Sequence, residues 1–285
     1  MAAFLSLYPS HVCAQTKLKL SIAKTFVHDE LPVFIEIAVS EFKIVMKDTI
    51  GMEGDVGIKY SPAELAAKIN DRQLDFGILH AHEFAWVQKK YPDLQPLLIA
   101  ATKPAEKHVH VIVHKDDPAK TFADLRGKKF DQALSTKEYC LLHLQKLCTG
   151  ENTADASKYF GSIARSATAF EALDQVARRK ADVTIIDSIR LESYKEIKGP
   201  VFEKNLRVLE QSSVVPPAVV IYRKDALSQE TVDRVRNGLL KAHTTTRGKI
   251  LMAIWQIQNF DAVPKDYGDR LAAVLKEYPA PESPR

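Results

Sequence analysis

Apolar positions along this chain switch repeatedly between strand-like alternation and a helical repeat of about 3.6 residues. "KLKLSIA" (17–23), "DVGIKY" (55–60), "LDFGIL" (74–79) and "LQPLLIAA" (94–101) read as strands, and 29–50, 61–72 and 82–91 between them carry helical spacing. "HVHVIVHKDD" (108–117) alternates like a strand with one face less buried. A second series follows: strand 128–133, helix 135–149, strand 158–161, helix 168–180, strand "DVTIID" (182–187) and helix 188–197. "LRVLEQSSVVPPAVVIYRKD" supplies two extended runs on either side of Pro216-Pro217, after which 228–244, 245–257 and 266–277 are helical. The alternation predicts an α/β protein with largely buried, mostly parallel strands. Two strand-rich halves and a helical tail predict that the chain leaves one domain near 105–115 and returns to it near 212–220. It then finishes by packing helices on the first half. No short-period repeat interrupts this rhythm.

Three helix starts carry the capping-box pattern: Ser61 with Glu64, Ser135 with Glu138, and Thr168 with Glu171. In each, the hydroxyl is expected to accept an orphan N–H of the first turn while the glutamate reaches back to the cap. Such caps are structural wherever they occur. Those that follow strands also stand where ligands bind in open α/β sheets, at the positive ends of helix dipoles. Ser135 and Thr136 together exceed what one cap needs, so with Lys137 beside them they are candidate anion contacts. "GSIARSATAFE" (161–171) adds Ser162, Ser166, Thr168 and Arg165, the last a ligand or a solvated loop charge.

"GILHAHEFAWVQKK" (77–90) places His80, His82 and Glu83 just after a strand, where His80 or Glu83 can face a cleft. A metal reading is poor, because the histidines fan apart and no further ligand is tied to them. His108, His110 and His114 alternate along one strand without an acidic or thiol partner at ligand spacing, and read as a polar strand face near a cleft. No GxSxG, HExxH, P-loop or GxGxxG motif is present. The sequence therefore points to no catalytic residue, no cofactor and no metal.

Composition narrows the class further. With 40 Lys+Arg against 36 Asp+Glu the chain is mildly basic, and its basic residues are scattered among acids without the stripe of a nucleic-acid binder. No apolar run is long enough to span a bilayer. "MAAFLSLYPSHVCAQ" has a short apolar stretch broken by Pro9, then Val12 and Ala14 at the −3 and −1 positions preferred for signal cleavage, so residues 1–14 are expected to be the remnant of an export signal. Cys140 and Cys148 lie eight residues apart on one expected helix, about 12 Å between Cα atoms at about 1.5 Å per residue, beyond disulfide reach. Cys140 shares its face with Leu144 and Leu147 and reads as a core thiol.

With these residues in view, the chain resembles the type II periplasmic substrate-binding proteins of ABC importers, most of all the phosphate/phosphite/phosphonate-binding group. The resemblance rests on "SPAELAAKINDRQLDFGILHAHEFAWVQKKYP", "KTFADLRGKKFDQALSTKEYCLLHLQKL", "SATAFEALDQVARRKADVTIIDSIRLESY" and "LEQSSVVPPAVVIYRKDALSQETVDRVRNGLL", in the family's order, over nearly all of 17–277. It implies a two-lobed fold, each lobe a mostly parallel sheet flanked by helices, joined by two hinge strands. Residues 15–107 plus 216–285 form one lobe and 108–215 the other. By position it implies ligand contacts at Thr25 and Phe26 of "AKTF", at His80, His82 and Glu83, at Ser135, Thr136 and Lys137, at Arg165, Ser166 and Thr168, and at Asp187. The chain departs from the family pattern at His80 and His82, at "RSAT", and at "STKEYC", which lacks the small residues that often follow the hydroxyl pair. The resemblance further implies a small anionic ligand held by closure of the lobes, an ABC permease and its ATPase as partners, a periplasmic location and a monomer. Two alternatives share the scaffold: an enzyme like the chorismate dehydratases, with Glu83, Asp187 or His80 as acid or base, and a sensor reporting to a membrane receptor.

Overall fold

The computed structural model describes residues 17–27, 32–153 and 155–281. The expected signal remnant, 1–14, lies outside the described residues. Two separate sheets, each with its own apolar core, account for the chain.

The first sheet is built from β1 (Leu18–Ile22), β2 (Gly54–Gly57), β3 (Phe76–Leu79), β4 (Leu94–Ala101), β10 (Val219–Arg223) and β11 (Asn259–Asp261), in the order β11-β4-β10-β3-β1-β2. The second contains β5 (Val109–His114), β6 (Lys129–Asp131), β7 (Ser162–Ala164), β8 (Val183–Asp187) and β9 (Leu206–Gln211), in the order β7-β6-β8-β5-β9. Leu20, Phe76, Leu98 and Val220 are sealed in the first core, and Val111, Phe130, Val183 and Cys140 in the second.

Both sheets are mixed, where the sequence suggests mostly parallel ones. β1 pairs with β2 and β3 in parallel, but β10 runs antiparallel to both β3 and β4. In the second sheet β6 is parallel to β7 and β8, while β5 is antiparallel to β8 and β9. The reason is the passage between sheets. The chain leaves on β4 and arrives on β5, then leaves on β9 and returns on β10. The outbound and inbound strands are neighbours at each end, so they must run in opposite directions. The two crossings touch at an antiparallel bridge between Lys107 and Val215.

Helices cover the sheets: α1 (Pro32–Val45), α2 (Pro62–Asn70), α3 (Ala81–Gln88), α4 (Glu138–Gly150), α5 (Ala156–Tyr159), α6 (Ala169–Ala177), α7 (Ser188–Asn205), α8 (Gln229–Lys241), α9 (Thr246–Trp255) and α10 (Tyr267–Glu277). Past Val45, α1 widens into a π-helical stretch, Met46–Ile50, closed by Gly51 at φ 71°, a left-handed conformation that glycine adopts without steric cost. Among the described residues no helix is long and apolar enough to cross a membrane.

Four sequence expectations need correction. The run at 158–161 is the end of α5, capped by Asp155, with the two residues that follow it, and the strand starts only at Ser162; Tyr159 and Phe160 fill the core. The tail is not purely helical, since β11 pairs with Ile99–Ala101, and its single buried Phe260 is too short a signal to register as alternation. α7 continues to Asn205, bending at Lys198 before Pro200. Finally, α4 begins at Glu138 with Lys137 as its cap, two residues later than a Ser135 cap requires.

Candidate functional site

A cavity of about 390 Å3 lies between the sheets. Its polar wall comes from both halves of the chain: His80, with Phe26 stacked on it, from the first, Lys137, Tyr139, Asp187 and Arg190 from the second, and Thr102 and Lys107 from the crossing. The rest is apolar and belongs mostly to α1, the end of α9 and the sheet beneath them.

Each polar group is placed by a strand end. β3 ends at Leu79, and His80 follows as the residue before α3, its N–H donating to Glu83 Oε2 at 2.9 Å. β8 ends at Asp187, which caps α7 by accepting from the Arg190 N–H at 3.0 Å and pairs with the Arg190 guanidinium at 2.8 Å. Burial at 2 % exposure and this double contact commit the Asp187 carboxylate to Arg190. Tyr139 is held in the first turn of α4.

Rings line one side. Phe26 stacks on His80 with centroids 3.8 Å apart, His80 stacks on His82 at 5.5 Å, and Tyr139 meets His80 edge-on at 6.0 Å across the gap between the halves. Burial, together with the repulsion that Lys107, Lys137 and a protonated His82 would exert, holds the His80 imidazole well below its ordinary range. His82, between His80 and Trp86, is pushed down to about 3 by burial and by Lys107. Both rings are neutral at physiological pH, and each has a buried Nε2 without a hydrogen-bond partner. Behind them, burial raises Glu83 to about 7 against the Thr25 hydroxyl and the His80 N–H, and Glu138 adds to the rise. Thr25 Oγ1 stands beside that carboxyl without hydrogen-bonding geometry, and Glu83 Oε1 is likewise unsatisfied.

Lys107 is the group that sequence reasoning missed. Its side chain is 6 % exposed, faces the cavity and lies with Nζ 5.3 Å from the centre of the Tyr139 ring. Among the described residues no hydrogen bond or ion pair satisfies the amine. Burial pushes it down to about 8, with Asp187 opposing and Lys137 adding to the fall. An ammonium in this position calls for an anion, and the nearby carboxylate already belongs to Arg190. No local motif betrays it: Lys107 is one of two lysines in "TKPAEKHVH", and only the crossing of the chain carries it into the cavity.

The other sequence candidates fall into two groups. Phe26, His80, Lys137 and Asp187 line the cavity, with Thr25, His82 and Glu83 packed behind. Ser135, Thr136, Arg165, Ser166 and Thr168 do not line it. The Thr136 hydroxyl donates back to the Ala133 carbonyl at 2.7 Å, Ser166 donates to Asp131 at 2.7 Å, Thr168 caps α6, and Arg165 is exposed. The histidine strand is structural: His108 bonds the Ser212 carbonyl, His110 the Ser188 hydroxyl, and His114 lies near Asp116. Among the described residues no group of three or more His, Cys, Asp or Glu is placed to hold a metal ion.

Two mixed sheets joined by a paired crossing, with a cavity walled from both sides, define a two-lobed binding protein of the type II periplasmic class. The family model of the periplasmic substrate-binding protein of phosphonate ABC transporters matches residues 25–267, and the chain belongs to that family. Its fold is similar to that of a phosphonate-transporter binding protein from Pseudomonas aeruginosa, with 18% identity over 92% of this chain and 87% of that one and a TM-score of 0.61. A Prochlorococcus marinus protein in complex with methylphosphonate matches at 10% identity, 91% and 97% coverage and a TM-score of 0.63. A Xanthomonas citri protein bound to ATP matches at 15% identity, 92% and 96% coverage and a TM-score of 0.62. No curated protein sequence matches the chain. Family membership makes the protein a periplasmic component of an ABC transporter, with a small ligand and a membrane permease with its ATPase as partners.

Proposed function

We propose that this protein captures a small phosphonate- or phosphate-like oxyanion between its lobes, with the anion seated against Lys107, and delivers it to its permease as a monomer. In this reading the hinge lies at the Lys107–Val215 bridge, with 15–107 and 216–285 as one lobe and 108–215 as the other. One observation carries this reading: the Lys107 amine is buried, faces the cavity and has no acidic partner. Lys137 adds positive potential, and Tyr139 offers a hydroxyl from the opposite lobe. The phosphonate family and the methylphosphonate-bound relative support the choice of anion.

This seat differs from one built on Ser135 and Thr136. It relies on a charged amine, where the sequence suggested alcohols and helix amides. Of the carboxylates the enzymic alternative would use, Asp187 is held by Arg190 and Glu83 stands behind His80, away from the cavity wall.

Calorimetric titration with phosphate, methylphosphonate and sulfate tests the proposal on the wild type and on Lys107→Met. A charge-assisted hydrogen bond is worth about 1.5–3 kcal/mol, so the substitution should weaken binding about 10- to 100-fold. Equal affinity in the two proteins, or no binding of any of the three anions to the wild type, would overturn it.

A further inference from the structure

The cavity is much larger than a phosphate or methylphosphonate needs. At about 30 Å3 per water, about 390 Å3 would hold on the order of a dozen waters, whereas methylphosphonate has only a handful of heavy atoms. The excess space is not polar. Much of it lies against α1 and the end of α9, an apolar arm walled by Phe34, Ile35, Ala38, Ile254, Trp255 and Ile257, with Gln256 the one polar residue beside them. The arm belongs to one lobe, while the charged end combines the crossing with the other lobe. Its outer end is apolar as well: Phe34 and Ile254 line the cavity and are still 56 % and 37 % exposed, and Val33 and Ile37 extend the apolar face of α1. At the wall of the arm the buried indole N–H of Trp255 has no hydrogen-bond partner.

A site for a bare oxyanion has no use for such an arm. Water in it would meet few polar partners, and its exposed apolar lip is unfavourable unless something covers it. Charge at one end and hydrocarbon at the other define one occupant. Resting on the anion reading above, we propose that the ligand is amphiphilic, a phosphonate or phosphate monoester whose head meets Lys107 and whose apolar organic substituent lies between α1 and α9. An acceptor atom near the head, such as an ester oxygen, would satisfy the Trp255 N–H. Specificity then comes from two separable parts: the amine selects the head, and the arm selects the length and apolarity of the substituent.

The test is a titration series of methyl-, butyl- and hexylphosphonate with butyl phosphate, and hexyltrimethylammonium as a cation with the same tail. Burying a methylene is worth about fourfold in affinity, so butyl- should exceed methylphosphonate by at least tenfold, and the cation should not bind. Butyl phosphate set against butylphosphonate shows which head is preferred, and tight binding of either supports the arm. Ala38→Phe, which fills the arm, should bring the butyl-to-methyl ratio close to one. Ile254→Asp, at a half-exposed position that tolerates substitution, should do the same if Ala38→Phe does not fold. If phosphate and methylphosphonate bind while longer chains bind no better, the arm proposal falls and the anion reading stands. If no anion binds, both fall. If the cation binds as tightly as hexylphosphonate, the arm is only an unselective apolar surface and the proposal is wrong.

Discussion

Lys107 faces the cavity beside the Tyr139 ring and Glu83 is bonded to the His80 N–H, and burial drives each toward its neutral form. Lys107 titrates near 8, so an anion that needs the ammonium should bind with constant affinity below that pH. Above it, affinity should drop up to tenfold per pH unit until the raised amine pKa of the complex is reached. A sulfonate, whose charge is fixed across the window, makes the measurement clean, and a flat profile from pH 7 to 10 would remove Lys107 from the seat. Glu83 gives the opposite kind of evidence, in stability. Its carboxyl is raised from 4.5 to about 7, so the folded protein holds the proton more tightly than the unfolded chain does. Stability from this group is present below pH 4.5 and is lost as pH rises toward 7. The shift is worth about 3 kcal/mol at most. Glu83→Gln keeps an acceptor for the His80 N–H and removes the titration. Its stability relative to wild type, measured by denaturant unfolding, should therefore rise between pH 4.5 and 8. At this scale the sequence was partly legible. His80 and Glu83 follow a strand and were visible as candidates, whereas Lys107 owes its place to a crossing between sheets that no local pattern encodes.

Capping patterns succeed or fail at the level of the element, according to what precedes them. At α2, Ser61 accepts from the Glu64 N–H and Glu64 accepts from the Ser61 N–H, as "SPAE" suggests. At α4 the same pattern, "STKE", does not cap. The Thr136 N–H and hydroxyl both turn back to the Ala133 carbonyl, making a tight turn, and the helix opens at the Lys137 carbonyl, which accepts from Cys140. A hydroxyl residue can bond backward or forward, and the sequence does not say which; here the short strand β6 and its turn prevail. Ser61→Ala should thus cost about 1 kcal/mol of stability, whereas Ser135→Ala should cost less than about 0.5 kcal/mol. Thermal unfolding of the two variants distinguishes them, and equal losses would restore Ser135 as a cap. Elements with long apolar runs, such as β4 and β8, were legible nearly to the residue. β7 and β11, three residues each, were not, because pairing at a sheet edge defines them and alternation does not.

The proposed capture requires two lobes on paired crossing strands to open and close, and the molecule carries further contacts between its two sheets beyond the Lys107–Val215 bridge. α10 packs on the first lobe beside α3, where the Trp86 indole donates to the Tyr278 carbonyl at 2.8 Å, yet its end reaches the second lobe. Glu277 pairs with Lys146 of α4 at 2.6 Å and accepts from Ser213 in the return crossing, and the Tyr278 hydroxyl meets His143 of α4 at 3.1 Å. Lys146 is half exposed, so its ion pair alone is a weak tie, but the buried His143–Tyr278 contact beside it makes the set directional. These contacts hold only while the lobes keep the approach that also brings Tyr139 onto His80. Apparent affinity scales with the fraction of molecules in the binding-competent arrangement, so loosening the tie should weaken anion binding without touching the cavity wall. A Lys146→Ala/His143→Ala double variant should raise the dissociation constant a few-fold and enlarge the unliganded radius of gyration in solution scattering. Saturating anion should restore the wild-type envelope, since the ligand selects the same closed form. Unchanged affinity and unchanged scattering would make the C-terminal contacts passive and leave closure to the ligand and the hinge alone.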